Sequence, residues 1–156
     1  MEKLQISENK QFYKILEILT IFIFGALCYG LMEVLSRGFT HISMGVLGGI
    51  SFVVIHILND ERIKGKISLF PVLIISGLFI TSIEFLAGEY LNRILGLNIW
   101  NYKDMWLNVD EQICLPYTIL WSILSLLGIY ADNLLRNKIF KEDISIKISK
   151  NDFAHI

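Results

Sequence analysis

Residues 67–88 read ISLFPVLIISGLFITSIEFLAG, and Glu84 is the only charged side chain among them. A helix rises 1.5 Å per residue, so about 20 apolar residues cross the ~30 Å hydrocarbon core of a bilayer. A soluble helix of this length would carry charges on its water-facing side, and this stretch has no such pattern. It therefore predicts a transmembrane helix that contains one buried acid.

Three further apolar stretches of similar length occur in the 156-residue chain, at about residues 15–35, 39–58 and 113–135. Charged clusters separate them, which is typical of a polytopic membrane protein rather than of a soluble domain. We predict an all-α fold, a bundle of four transmembrane helices spanning residues 15–135. A cytoplasmic or interfacial segment at 1–14 would precede it, and a cytoplasmic tail at 136–156 would follow.

Basic residues indicate the orientation of this bundle. If the N-terminus is cytoplasmic, eleven of the fourteen lysines and arginines lie on the cytoplasmic side, and Arg37, Arg93 and Lys103 lie outside. This positive-inside bias predicts that both termini are cytoplasmic. The first apolar stretch ends without a small-residue cleavage site, so we expect it to remain as the first helix.

The segment at residues 89–112 is predicted to be one long outer loop. It carries four aromatic residues, Tyr90, Trp100, Tyr102 and Trp106. Long ordered loops often carry function, so these side chains could cover a binding site. Aromatic residues also form belts at the membrane surface, and the sequence leaves both interpretations open.

The polar residues inside the apolar stretches suggest a site. A carboxyl group in hydrocarbon costs roughly 2–3 kcal/mol or more, so Glu33 and Glu84 each need a partner or a role. Arg37 lies one turn after Glu33, where an ion pair can form. We predict an outward-facing substrate- or ion-binding site, or alternatively a set of polar contacts that only locks the bundle. Its candidate residues are Glu33, Arg37, His41, Glu84, Trp100 and Tyr102.

Small and hydroxyl side chains predict where helices approach each other closely. On the fourth helix, Thr118, Ser122, Ser125 and Asp132 share one face, which we expect to point into the bundle, and Pro116 lies in its first turn. The candidate helix-packing residues are Gly30, Gly45, Gly48, Gly49 and Gly88.

Several chemistries lack their usual sequence signals. There is no phosphate-binding loop, no G-x-S-x-G and no H-E-x-x-H. The two cysteines and three histidines are scattered, so we assign no catalytic residue, no metal site and no cofactor. We expect that the chain is not an enzyme and does not bind nucleic acid. An ATP-driven role would need a separate ATPase subunit.

About residues 25–128 resemble one family of small multi-pass bacterial membrane proteins, catalogued as putative ABC-transporter type IV or CmpB-like permeases. The resemblance implies a permease in the bacterial cytoplasmic membrane. The segments that carry it are Tyr29–Glu33 followed by Arg37 and Gly38, Glu84 with Gly88, Trp100–Tyr102 ahead of Asn108, and Ile113–Tyr117 followed by Trp121.

Two departures from the family pattern concern the loop. Residues 100–103 read Trp-Asn-Tyr-Lys where the family often has Trp-Asp-Tyr-Ser, and Glu111 stands where the family has a glycine. The family's loop aspartate is an asparagine in this chain, so the resemblance does not assign a role to an acid at that position.

Our first functional hypothesis is therefore a membrane-embedded transport component that lies in the lipid bilayer, as a homo-oligomer or with a partner subunit such as an ATPase. The alternative is a non-catalytic interaction or regulatory subunit. A lipid-modifying enzyme that uses a glutamate and His41 as acid and base is a third, weaker hypothesis.

Overall fold

The structure is a computed structural model that describes the backbone of residues 2–142 and the side chains from residue 11 onward. Its helices are α1 (Glu2–Arg37), α2 (Ile42–Ile63), α3 (Leu69–Gly88), a π-helix (Glu89–Ile94) and α4 (Leu115–Lys138). Two short strands, β1 (Asn108–Val109) and β2 (Ile113–Cys114), pair antiparallel with Val109 opposite Ile113. Most of the predicted tail, residues 143–156, lies outside the described residues.

Four helical segments are long and apolar enough to cross a membrane: Gln11–Arg37, Ile42–Ile63, Leu69–Ile94 and Leu115–Lys138. This confirms the expectation of an all-helical chain with four such helices. The bounds differ at several helix ends. Helix α2 runs over Ile42–Ile63 rather than over about 39–58, so it continues into the charged turn. The third helix continues beyond Gly88 as a π-helix, and α4 begins at Leu115 because Ile113 and Cys114 form a strand.

Helix α1 also begins earlier than the predicted first apolar stretch. The backbone is helical without a break from Glu2 to Arg37, so residues 2–14 continue the helix of the first apolar stretch. A helix propagates easily once it is formed, and no proline or glycine interrupts these residues.

The chain divides into two compact units, residues 1–53 and 54–156. In the first, α1 ends at Arg37, and the next residue, Gly38, has a φ of 82°, the left-handed conformation typical of the residue that follows a helix. The Gly38 N–H donates to Val34 O at 2.8 Å, and α2 begins four residues later. This short connection holds α1 and the first half of α2 as a helical hairpin.

Glycines let the two helices of this hairpin meet. A Cβ placed on Gly48 would collide with Tyr29 Cβ and would lie 3.0 Å from Gly25 O, and one on Gly49 would lie 2.6 Å from the Phe22 ring. A Cβ on Gly25 would collide with Phe52. The backbones are therefore as close as glycine permits, as expected of small-residue helix interfaces in membranes.

In the second unit, α3 and α4 run antiparallel. Thr81 Oγ1 donates to Thr118 Oγ1 at 3.0 Å, and a Cβ on Gly77 would collide with Ser122. Ser125 and Asp132, further along the same face of α4, are buried. The polar face of α4 therefore points inward, as predicted, and Pro116 lies in its first turn.

Candidate functional site

Glu33 and Arg37 form an ion pair at the end of α1, with Arg37 Nη2 2.8 Å from Glu33 Oε2. The same carboxylate oxygen accepts a hydrogen bond from Thr40 Oγ1 at 2.7 Å. The guanidinium carbon of Arg37 also lies 4.6 Å from the centre of the Phe39 ring, within the range of a cation–π contact. The four-residue spacing thus produces the predicted intrahelical pair.

His41 lies directly before α2, and its ring faces that helix. Its Nδ1 accepts a hydrogen bond from the Ser43 backbone N–H at 3.3 Å and lies 2.8 Å from Ser43 Oγ. The first N–H groups of a helix have no partner within it, so a side-chain acceptor here stabilises the helix start. This capping contact gives His41 a structural role that the sequence did not suggest.

Glu84 is a buried carboxylate within α3, with 3% of its surface exposed. Its Oε2 accepts a hydrogen bond from the indole Nε1 of Trp121 on α4, at 2.7 Å. Tyr117 lies next to Trp121, with ring centres 6.1 Å apart, and Tyr102 of the loop stacks on Tyr117 at 4.7 Å. The buried acid is therefore bonded to one end of an aromatic row that runs from Trp121 through Tyr117 to Tyr102 of the loop.

The loop after the π-helix is held in place by hydrogen bonds to Asn92, which lies within the π-helix, and by bonds within the loop. Asn92 donates to Trp100 O at 3.0 Å and to Gln112 Oε1 at 2.9 Å, and it accepts from the Ile99 N–H at 2.7 Å. Trp100 Nε1 donates to Gln112 O at 3.0 Å. Asn92 therefore acts as the hub of the loop, a role that the sequence did not reveal because one asparagine in a polar loop carries no signal.

The predicted site residues divide between the two units. Glu33, Arg37 and His41 belong to the first, and Glu84, Trp100 and Tyr102 belong to the second. Within the first unit, Thr40 bonds to Glu33, while the His41 ring bonds to Ser43. A single site built from both groups stays a prediction.

The predicted packing glycines differ in how closely neighbouring atoms approach them. A Cβ on Gly88 would collide with the Gln112 side chain, so this glycine packs against the loop and not against a neighbouring helix. At Gly45 the nearest atom would be Ala26 O at 3.7 Å, and at Gly30 it would be Thr40 Cγ2 at 4.0 Å, both ordinary contacts. The tight positions among the five are Gly48, Gly49 and Gly88.

A second buried polar cluster, which sequence reasoning did not assemble, joins the end of α2 to the end of α4. His56 Nδ1 lies 2.7 Å from Asp132 Oδ1, and Asn59 Nδ2 donates to Asp132 Oδ2 at 2.7 Å. Arg136 Nε donates to the same Oδ2 at 3.2 Å. These side chains are almost fully buried, with Asn59 and Asp132 at 0% exposure.

This end cluster also reaches the surface. Arg136 Nη1 lies 3.2 Å from Asp60 Oδ1 and 3.1 Å from Glu142 Oε2, and both carboxylates are partly exposed. Lys64 pairs with Asp60 at 2.5 Å and with Glu61 at 3.2 Å. The hydrogen bond to Asp60, and to a smaller extent the one to Glu61, raises the pKa of the Lys64 ammonium.

One sequence signal could have located the end cluster. Asp132 and Arg136 are four residues apart near the end of one apolar stretch, and His56 and Asn59 are three apart near the end of another. Both stretches end on the predicted cytoplasmic side, so the two polar pairs fall at one depth. Pairing them still required knowing that these helices are neighbours.

Neither cluster has the form of a metal centre. Among the side chains of residues 11–142, no three His, Cys, Asp or Glu residues are arranged to hold a metal ion. Cys28 is exposed and Cys114 is buried, and both are free thiols.

Comparison with known proteins identifies the family. Neither a curated protein nor a solved structure matches this chain. A family model described as "Putative ABC-transporter type IV" matches residues 22–150, which include Glu84, Trp121 and both helices of the end cluster. With four apolar helices, this makes the chain a multi-pass membrane protein. It therefore belongs to the family of "Putative ABC-transporter type IV" membrane proteins.

Proposed function

We propose that the protein is the membrane-spanning component of a transport system and that Glu84 binds the transported cation or a coupled proton. The observation that supports this most directly is the burial of the Glu84 carboxylate within a transmembrane segment, hydrogen-bonded to the Trp121 indole. Carboxyl groups in transmembrane helices are costly and mark ion or proton pathways more often than not.

Within the second unit, Trp100 and Tyr102 would form the cover of the Glu84 site. In the first unit, Arg37 would balance the charge of Glu33 or hold an anionic group of a ligand. His41 would fix the start of α2.

Energy for transport would come from outside this chain. The sequence contains no phosphate-binding loop, so in our proposal an ATPase or another driving subunit is a separate protein. Four helices are few for a translocation pathway, so the chain would function as a homo-oligomer or with that subunit, in a bacterial cytoplasmic membrane.

Replacement of Glu84 by glutamine tests this function. We expect Glu84→Gln to lose the bound small molecule or ion that co-purifies with the wild type in mild detergent, because the amide keeps the shape but removes the charge. Native mass spectrometry of both proteins would measure bound ligand and bound subunits together. Expression level and elution volume should stay as in the wild type.

Glu89→Gln is the matched control, since Glu89 lies on the adjoining π-helix and pairs with Arg93 at 2.9 Å. It should retain the ligand. If Glu84→Gln instead lowers the yield of folded protein without changing ligand per folded molecule, Glu84 only locks the bundle. If the wild-type protein co-purifies with a partner subunit but never with a ligand, the result would favour the regulatory-subunit alternative.

A further inference from the structure

The loop between the π-helix and α4 has two chemically different sides. Its inner side is held by the hydrogen bonds of Asn92, Trp100 and Gln112, and Tyr102 stacks on α4. The Tyr102 N–H also donates to Glu111 O at 2.8 Å. These bonds fix the path of the loop backbone, and so they determine which positions are exposed.

The exposed surface of the loop is rich in large apolar side chains. Trp106 is 70% exposed, and several aliphatic and sulfur-containing side chains of the same loop are also exposed. Soluble proteins rarely present so dense a set of large apolar residues to water, and such a patch marks a contact with a membrane or a protein. The group consists of Leu95, Leu97, Met105, Leu107 and Val109.

This patch continues the outer surface of the third helical segment. Leu86 on α3 is 67% exposed, and Tyr90 and Ile94 on the π-helix are 55% and 73% exposed. In a multi-pass membrane protein, exposed apolar side chains of a spanning helix face lipid. The loop patch thus adjoins a surface that already contacts the bilayer.

We propose that the outer side of this loop, centred on Trp106 and Leu107, is inserted into the lipid interface of the adjacent leaflet. Tryptophan favours this depth because its ring is apolar and its N–H can bond to headgroups. The loop is thereby a membrane-anchored cover rather than a lid that projects into water. This inference does not depend on whether Glu84 binds a ligand.

The charge of the loop offers no attraction to anionic lipid. Residues 89–112 contain four acidic and two basic side chains, a net negative segment, whereas anionic headgroups attract basic segments. We therefore attribute insertion to the apolar side chains, and it should occur in a purely zwitterionic bilayer.

The test measures the depth of spin labels in phosphatidylcholine nanodiscs. A Cys28→Ala, Cys114→Ala background receives a single labelled cysteine at Trp106, and separately at Leu107, at Asp104 or at Lys66 in the α2–α3 turn. Oxygen concentrates in lipid and a nickel chelate stays in water, so their relative collision rates report depth. We expect oxygen to dominate at 106 and 107, and the chelate to dominate at 104 and 66.

A second variant keeps the test independent of labelling artefacts. With the label at Trp106, Leu107→Glu should raise collisions with the nickel chelate several-fold, whereas Lys103→Glu, which changes charge on the polar part of the loop, should not.

Two outcomes overturn the proposal. Water-like accessibility at both 106 and 107 would show that the loop projects into solvent. Low accessibility to both reagents, with dipolar broadening between labels, would show that a second copy covers the patch instead of lipid.

Discussion

Replacing Asp132 with alanine is expected to lower the free energy of unfolding by about 3–5 kcal/mol, the cost of breaking a buried ion pair from one side. Asp132 is fully buried and accepts from Asn59 and Arg136, while His56 lies 2.7 Å away. Alanine would leave a buried guanidinium without this carboxylate, and the amide of Asn59 would lose its shortest bond. Unfolding in mixed dodecylmaltoside and SDS micelles, followed by circular dichroism, would measure the loss.

Asn133→Ala provides the matched control. Asn133 is the next residue and accepts from the same Asn59 amide at 2.9 Å, but it is partly exposed and uncharged. Its removal should cost about 1 kcal/mol, the net value of an ordinary hydrogen bond. Equal losses in the two variants would show that the buried charge of Asp132 does not stabilise this end of the unit.

A double variant distinguishes the stability that comes from the Asp132–Arg136 ion pair from the stability that comes from burying the two side chains. Asp132→Leu combined with Arg136→Met removes both charges and fills the space with apolar atoms. Buried ion pairs can be replaced in this way at little cost, so the double variant should be more stable than the sum of the two single changes predicts. A strictly additive result would contradict direct coupling between these side chains.

The four membrane helices could be predicted from sequence because each is a continuous apolar stretch that no soluble fold tolerates. The Glu33–Arg37 pair was also predictable, since a four-residue spacing on a helix fixes which side chains meet. Both properties are local. They depend on residues within one or two turns of each other.

Other features depend on which elements are neighbours, and the sequence alone did not determine that. Trp121 lies 37 residues from Glu84, so the spacing of residues along one helix could not identify its indole N–H as the donor to this acid. His56 lies 76 residues from Asp132 and reads as an isolated histidine in an apolar stretch. Strands of two residues and a six-residue π-helix are also too short to leave a periodic pattern.

Gly48→Ala should destabilise the α1–α2 hairpin by about 1–3 kcal/mol, the usual cost of overpacking a close interface. The added methyl group would collide with Tyr29 Cβ and would lie 3.0 Å from Gly25 O. Backbone and Cβ atoms cannot rotate away, so the two helices would have to separate. The higher helix propensity of alanine, about 0.5–1 kcal/mol, offsets only part of this cost.

Gly45→Ala is the control that makes this result specific, because it lies one turn earlier on α2 and makes the same chemical change. Its methyl group would meet Ala26 O at 3.7 Å, an ordinary contact, so we expect equal or slightly higher stability than in the wild type. Thermal unfolding in detergent, read by size-exclusion chromatography, would rank the two variants. If Gly48→Ala proved as stable as Gly45→Ala, the helices of the hairpin could move apart freely, and close backbone contact would not hold this unit together.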